Sequence, residues 1–376
     1  MPDVVIVGAG PVGLFMGALL LQRGCSVRIL ERRTARSMRS RAIGIHPPAL
    51  AALEDAGVAA RLISEGVRIR RGVAYSKGQK VAELPFTGDP AHPFILAVPQ
   101  TVTERILEET VRTFDAGAIV RGAEVQEIDD DGGSVRVLAT GPSGGLEFTA
   151  RLAVAADGAH SRVRQGLDPD VTSRAYPDSY LMGDFADGTG HGNDAVLYLE
   201  TEGIVESFPL PGGVRRWVVR LGEPDRGSTA ARLAALVGAR TGEVLNPGTN
   251  TMLSAFDVQA RLVKRMVHGR VILLGDAAHE ISPIGGQGMN LGWLDAQALA
   301  PIIGAFLDGN HVGRQLQEFE KSRRLAASRA SRQAGLNMAL GRPLQPLVLS
   351  ARNSLFARTL LVPGVAALVE RRFTMR

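Results

Sequence analysis

The stretch Gly8-Ala9-Gly10-Pro11-Val12-Gly13 decides the fold. Before it, Val4-Val5-Ile6-Val7 is a β-branched run of strand length. After it, Val12 to Gln22 carries apolar residues at helical spacing, closed by Gly24. Val27-Arg28-Ile29-Leu30 then reads as a second strand that ends at Glu31. Strand, glycine turn, helix and strand in this order make a βαβ unit with a dinucleotide-binding fingerprint. The three glycines permit a tight turn, close approach of backbone to a pyrophosphate, and tight packing of helix on strand. The helix N-terminus at Pro11-Val12 offers unpaired N–H groups and a positive dipole end to phosphates, and Glu31 is placed to accept from a ribose diol. The fingerprint by itself does not separate NAD from FAD.

Beyond this unit, Pro48 to Ala60 and Thr101 to Phe114 read as helices. Short strands are expected at Ala123–Ile128, Ser134–Ala139, Leu146–Ala150 and Leu152–Ala156, separated by turns at Asp129-Asp130-Asp131-Gly132-Gly133 and Gly141–Gly145. A strand-rich stretch from Tyr180 to Leu221 includes Val196–Glu200, Ile204–Leu210 and Arg216–Leu221. Val271–Leu274 is a buried parallel strand that returns the chain to the first sheet, and the chain is mostly helical after Met289. The expected class is α/β: a Rossmann-like cofactor-binding domain with an inserted antiparallel β-sheet substrate domain and a helical C-terminal region. The expected boundaries are 1–73, 96–174 and 267–340 for the first, 74–95 and 175–266 for the second, and 341–376 for the third.

Two further motifs narrow the cofactor. Gly275-Asp276-Ala277-Ala278-His279 follows the Val271–Leu274 strand, and Pro283-Ile284-Gly285-Gly286-Gln287-Gly288-Met289-Asn290 follows that. A carboxylate at a strand end can hold a ribitol hydroxyl, and a glycine-rich loop opening a helix can point N–H groups at a flavin ring, where negative charge develops on reduction. Earlier in the chain stands Asp157-Gly158-Ala159-His160-Ser161-Arg162-Val163-Arg164. Together, in this order and spacing, the three motifs resemble the para-hydroxybenzoate-hydroxylase-like (group A) flavoprotein monooxygenases. The resemblance covers the chain from its start to about residue 300.

The resemblance implies FAD as resident cofactor and NADH or NADPH as a transient reductant. It implies a C4a-hydroperoxyflavin that hydroxylates a small aromatic or phenolic substrate with O₂. Carried over position by position, the residues for FAD are Gly8, Gly10, Pro11, Val12, Gly13, Glu31, Arg41, Gln100, Asp157, Gly158, Gly275, Asp276, Pro283, Gly286, Gly288, Met289 and Asn290. Arg32, Arg39 and His160 fall where the family meets the nicotinamide cofactor, and Arg32-Arg33 hints at tolerance of a phosphate. Pro283, Gly285 and Gly286 are expected to form the wall beside the flavin ring, and His46 either lines the active site or holds a structural or exposed place. His279 reads as a packed neighbour of the loop rather than a base. Tyr176, Tyr180, Tyr198, Arg215, Arg216 and Trp217 are expected at the far wall of the substrate site. Arg216 is the candidate anion contact, against a plain place on the polar face of an edge strand. No residue is identified that favours a phenolate. The same fold also serves double-bond reductases of the geranylgeranyl-reductase type, and a flavin-binding accessory protein without turnover keeps the same motifs.

Bulk properties exclude other classes. With 376 residues, 45% hydrophobic and 22% charged, the chain is a globular protein of two or three domains. The net charge of +5 is spread along it, and the clusters Arg32-Arg33, Arg36–Arg41 and Arg68–Arg71 have few aromatics between them, which argues against nucleic acid. A single cysteine, Cys25, excludes an intrachain disulfide and makes a reducing compartment the default. No signal peptide and no apolar run of bilayer length are read, so the expectation is a cytoplasmic protein with no firm membrane anchor, a monomer or homodimer, and no metal. The end at Arg376 predicts no thioredoxin-like third domain. The apolar stretch Leu355–Val369, with Pro363-Gly364 inside it, is expected to pack on the core; a dimer surface and a membrane-facing patch are the alternatives.

Overall fold

A computed structural model describes residues 1–376 other than 37–41, 88, 168, 224, 226, 283, 361 and 376. The first sheet has six strands in the order Val267–His268, Val271–Leu273, Leu152–Ala155, Val4–Val7, Val27–Glu31 and Ile119–Arg121. All neighbours are parallel except the first pair. Val4–Val7 sits in the middle and is buried throughout, because a parallel strand covered on both faces has no polar side to show. The Pro11–Gln22 helix packs on the neighbouring Val27–Glu31 strand so closely that a Cβ at Gly17 would lie 2.5 Å from Cδ1 of Ile29. The Gln100–Phe114 and Gln287–Leu307 helices flank it, and Trp293 Nε1 donates to the Pro11 carbonyl at 3.1 Å. This last bond fixes the late helix against the start of the first one.

The expected single helix over Pro48–Ala60 is two, Pro47–Glu54 and Ala59–Glu65. Gly57 between them has φ +70, a left-handed conformation that ends the first helix. Gly44–Ile45 pairs with Ile95–Ala97 in a small three-stranded sheet. That pairing brings His46 and Gln100, distant in sequence, to one side of the cofactor sheet.

The second large sheet has eight strands in the order His279–Glu280, Met252–Val263, Val171–Ala186, Val214–Leu221, Val205–Leu210, Ala195–Tyr198, Arg71–Ser76 and Gln79–Pro85. It is antiparallel except where Ala195–Tyr198 meets Arg71–Ser76. Val214–Leu221 is therefore an interior strand, which corrects the edge placement weighed for Arg216. Behind the sheet, the Ala230–Thr241 helix, capped by Thr229 Oγ1 on the Arg232 N–H, closes a core with Phe185, Trp217 and Val219. The front face turns toward the cofactor sheet. The chain ends in the helices Gly313–Leu340, Pro346–Leu360 and Pro363–Phe373. The last two pack on the Gln79–Pro85 strand, and Glu370 Oε1 accepts from the Thr87 N–H at 2.7 Å. Among the described residues no helix is long and apolar enough to cross a membrane.

Candidate active site

One continuous cavity of about 740 Å³ runs from the glycine loop, past Asp157 and Asp276, to Gly286 and on to the front face of the eight-stranded sheet. At its nucleotide end the three glycines differ in what they tolerate. A Cβ on Gly8 (φ +101) would stand 2.5 Å from the Ala156 carbonyl oxygen, and one on Gly13 would stand 2.0 Å from that of Gly8. A Cβ on Gly10 would meet nothing within 4 Å. The protein's own packing demands the first and third glycines, whereas the second keeps clear a space that only an incoming group fills. Glu31 is 7% exposed and braces the loop: its carboxylate accepts from the Ala9 N–H at 2.8 Å and the Arg33 N–H at 2.9 Å. Each oxygen keeps a lone pair for a ribose hydroxyl. Arg32 and His160 are exposed at the cavity's edge. Gln100 lines it and donates to Glu104 at 2.8 Å.

Asp157 Oδ2 accepts weakly from the Val163 N–H at 3.3 Å, while Oδ1 is buried with no partner. Burial pushes its pKa up. An orphaned acceptor in the cavity wall fits a hydroxyl or N–H donor of the cofactor. Asp276, in the opposite motif, is raised to about 6 by burial, although the charge of His279 opposes the shift. His279 itself lies outside the cavity. Its Nε2 is 2.5 Å from Asp295 Oδ2, and Arg323 Nε donates to Asp295 Oδ1 at 2.7 Å. Burial disfavours a charged imidazole there, yet the attraction and hydrogen bond of Asp295 outweigh it and raise the pKa. His279 is thus packed against Asp295, away from the cavity.

At the flavin end, Gly285 (φ +91) and Gly286 (φ +66) turn the chain into the Gln287–Leu307 helix, and Gly288 and Met289 of its first turn, where N–H groups have no partner within the helix, line the cavity. Gly275 (φ +56) is sealed behind by Val12. Asn290 is fully buried and makes no part of the cavity wall. Its Oδ1 accepts from the His46 N–H at 2.9 Å, and its Nδ2 donates to the Gly44 and Gly286 carbonyls at 2.9 and 2.6 Å. His46 Nε2 lies 3.1 Å from the Gly285 carbonyl. Burial depresses this imidazole to about 4, so at neutral pH it is uncharged and Nε2–H is the donor. His46 and Asn290 therefore brace the loop. Arg39, Arg41 and Pro283 lie outside the described residues.

The sheet face opposite is apolar, with Met182, Leu197, Phe208, Val218 and Phe256 in the wall. Phe356 and Phe373 of the two C-terminal helices close the other side. Of the six residues expected at the far wall, only Arg216 reaches the cavity. Strand alternation turns Arg215 and Trp217 the other way, and Tyr198 joins them in the rear core. Arg216 is nearly fully buried and donates to both oxygens of Asp184, at 2.6 and 2.8 Å. Its planar fork is committed to a protein carboxylate, which changes the expectation of a substrate-anion contact.

A family model described as FAD binding domain matches residues 1–334. The chain belongs to this FAD-binding family. It is 33% identical over 340 residues to the uncharacterized aromatic compound monooxygenase YhjG of Bacillus subtilis strain 168, covering 86% of this chain and 66% of that protein. It is 32% identical over 342 residues to anhydrotetracycline monooxygenase of Streptomyces rimosus, covering 87% and 67%. The crystal structure of p-nitrophenol 4-monooxygenase PnpA from Pseudomonas putida DLL-E4 superposes with a TM-score of 0.90 at 25% identity, over 100% of this chain and 98% of that one. The chain thus spans about two thirds of the length of the two curated relatives. These matches agree with the group A resemblance carried by the three motifs, and the cofactor is FAD.

Two residues of this flavoprotein's chamber escaped the sequence reading. Glu206 is 8% exposed, lines the cavity, and makes no hydrogen bond or ion pair with the described residues. Burial pushes its carboxyl up to about 7. The signal was present: in Val205-Glu206-Ser207-Phe208 the period of two sets an acid on the same face as Phe208. Arg352, from the Pro346–Leu360 helix, also lines the cavity; its guanidinium donates to the Leu340 carbonyl and Asn353, and burial lowers its pKa.

Proposed function

We propose that this protein is an NADH- or NADPH-dependent flavoprotein monooxygenase that hydroxylates an aromatic or phenolic small molecule. The observation that carries the reading is the single cavity joining the nucleotide loop, the Gly285-Gly286 turn and an apolar chamber closed by Phe356 and Phe373. FAD, reduced by the nicotinamide cofactor and reoxidised by O₂, supplies an electrophilic oxygen when bound. The chain's own part is to hold that cofactor, exclude water and fix the substrate. Gly8–Gly13 and Glu31 would take the ADP half, Asp157 and Asp276 the ribitol region, and the N–H groups at Gly286–Met289 the ring. Met182, Leu197, Phe208, Val218 and Phe256 exclude water from the chamber and offer a planar ring apolar surface. Arg32 and His160, exposed at the edge, are the candidates for the transient nicotinamide contact, with Arg39. The relatives named for anhydrotetracycline and p-nitrophenol support an aromatic substrate. In this reading the six-stranded sheet with its helices is the cofactor domain, and the eight-stranded sheet is the substrate domain.

The test is to purify the protein, record its flavin absorbance, and follow NADH and NADPH oxidation with O₂ uptake over a panel of phenols and polycyclic aromatics. Stimulated oxidation with a product heavier by one oxygen is expected. Oxidation that proceeds without O₂ and saturates a double bond would instead make it a reductase. Ligand binding with no turnover on any compound would leave a flavin-binding accessory protein.

A further inference from the structure

Glu206 is an anomaly in the chamber that the proposed hydroxylation has not yet used. On its own sheet face it lies opposite Leu197 on one neighbouring strand and Val218 on the other. The next residue across is Met182. Val218 and Met182 share a cluster with Ile284, the residue between Pro283 and Gly285, so this part of the sheet faces the flavin loop. The charged groups around it are spoken for. On one side Arg216 is held by Asp184, and on the other Asp178 is held by Arg220 at 2.9 Å and Arg342 at 2.7 Å. Tyr180 is a titratable neighbour that feels the Glu206 charge. Its phenol is pushed up by burial and then by the Glu206 charge, so it stays neutral. Arg352 lines the chamber from the C-terminal side, where its guanidinium donates to the Leu340 carbonyl and to Asn353. A buried carboxylate without a partner, open to a cavity between two closed ion pairs, is poorly explained by folding, because burying such a group is costly. It is well explained by a donor that arrives with the substrate.

We infer that Glu206 is a catalytic residue that accepts the hydroxyl hydrogen of a phenolic substrate and takes its proton as oxygen is transferred. The inference rests on the hydroxylase reading above and deepens it. Overall, substrate C–H, O₂, NAD(P)H and H⁺ become substrate C–OH, water and NAD(P)⁺. Within that balance the phenolic O–H bond breaks and its proton moves to the Glu206 carboxylate. The released electron pair enters the ring, whose ortho or para carbon forms the new C–O bond as the O–O bond of the activated oxygen breaks; the second oxygen keeps that bond's electron pair and leaves as water. The resulting dienone loses the proton of that carbon to solvent, Glu206 returns its proton to the ring oxygen, and the carboxylate ends unchanged. A base whose pKa lies near the operating pH suits this exchange in both directions.

The experiment uses FAD-loaded protein, a panel of para-substituted phenols and the methyl ether of each, with affinity measured by calorimetry from about pH 5.5 to about pH 8.5. At the upper end a phenol should bind about tenfold or more tighter than its ether, and this advantage should shrink as Glu206 is protonated. Glu206→Gln, which keeps the shape, should bring the advantage within about threefold at every pH and flatten the pH profile of kcat. Asp276 titrates in the same window, but equally in both proteins, so the comparison isolates Glu206. A preference for phenols that ignores pH, one that survives in Glu206→Gln, or no preference over the ethers would overturn the assignment. Equal kcat and pH profile in both proteins, with hydroxylated product formed, would remove the role of Glu206 and leave the hydroxylase reading standing. Phenol binding with the expected pH dependence but no oxygenated product would remove the hydroxylase reading.

Discussion

Arg164 donates to the carbonyl of Asp276 at 3.2 Å, and so joins two motifs that lie over a hundred residues apart. The same guanidinium donates to Ala277 at 3.1 Å and to Ala159 at 2.6 Å. One buried side chain therefore fixes the spacing between the Asp157 turn and the Asp276 turn, the two acids assigned to the middle of the cofactor.

Arg164→Ala removes a donor from three carbonyls, of which, among the described residues, only Ala159 keeps another, from Arg261 at 3.3 Å. Hydrogen bonds to a charged group contribute about 1.5–3 kcal/mol each, and part of that is recovered by water. We expect FAD to bind roughly tenfold to a hundredfold more weakly, read from flavin fluorescence on dilution, with a smaller loss in Tm. Arg164→Lys should recover little, since a single ammonium cannot span the three acceptors as a planar fork does. An unchanged FAD affinity in the alanine variant would mean that Arg164 does not hold the two turns at the spacing FAD needs.

The nucleotide loop offers a cleaner separation of folding from binding. Gly13→Ala sets a methyl 2.0 Å from the Gly8 carbonyl oxygen and should cost several kcal/mol, seen as a large drop in Tm or as insoluble protein. Gly10→Ala meets no protein atom within 4 Å and should fold with nearly the parent Tm in the absence of flavin. It should nevertheless lose most of its FAD affinity, because the methyl stands where the pyrophosphate approaches. Equal FAD affinity for Gly10→Ala and the parent would mean that the pyrophosphate lies elsewhere.

Motifs read well from the chain where covalent neighbours set the geometry. The strand, the glycine turn and Glu31 all belong to one local βαβ unit, and Asp157-Gly158 and Gly275-Asp276 likewise sit at strand ends. Groups whose meaning depends on a strand pairing did not read. Arg216 looked like a free cation until the register set Asp184 opposite it. Glu206 carries no motif, and its meaning comes only from the register, which sets Leu197 and Val218 on either side of it. The split of Pro47–Glu54 from Ala59–Glu65 was hidden because Gly57 carries the break in its φ alone. Nor does any local pattern say that Phe356 and Phe373 close a chamber built by residues far earlier in sequence.

His46 should make the fold acid-sensitive. Its folded-state pKa is depressed from 6.5 to about 4, so the unfolded chain binds more protons between these values. Stability from this site is fully present above about pH 6.5 and is lost as the pH falls toward about 4, a loss of about 3 kcal/mol at 1.36 kcal/mol per unit. His46→Gln should lower the urea midpoint at neutral pH, because the brace to Gly285 is disturbed, but should show a shallower decline on acidification. Parallel decline in the two proteins would contradict the neutral, buried imidazole.

Glu206 gives the opposite slope, and so a test that needs no substrate. Its folded-state pKa is raised from 4.5 to about 7, so the folded chain holds a proton that the unfolded chain releases in that interval. The stability associated with the protonated form is fully present below about pH 4.5 and is lost as the pH rises through about 7. Above that the native state carries an unpaired buried carboxylate at a cost of about 3 kcal/mol. Glu206→Gln removes that charge while keeping the shape. It should raise the urea midpoint at about pH 8 and converge on the parent near about pH 4.5. A variant no more stable than the parent at the higher pH would mean that Glu206 has a partner in the folded protein. A variant that gains stability there while losing its preference for phenols would show one residue trading stability for substrate activation, as expected of an acid kept uncompensated for a ligand.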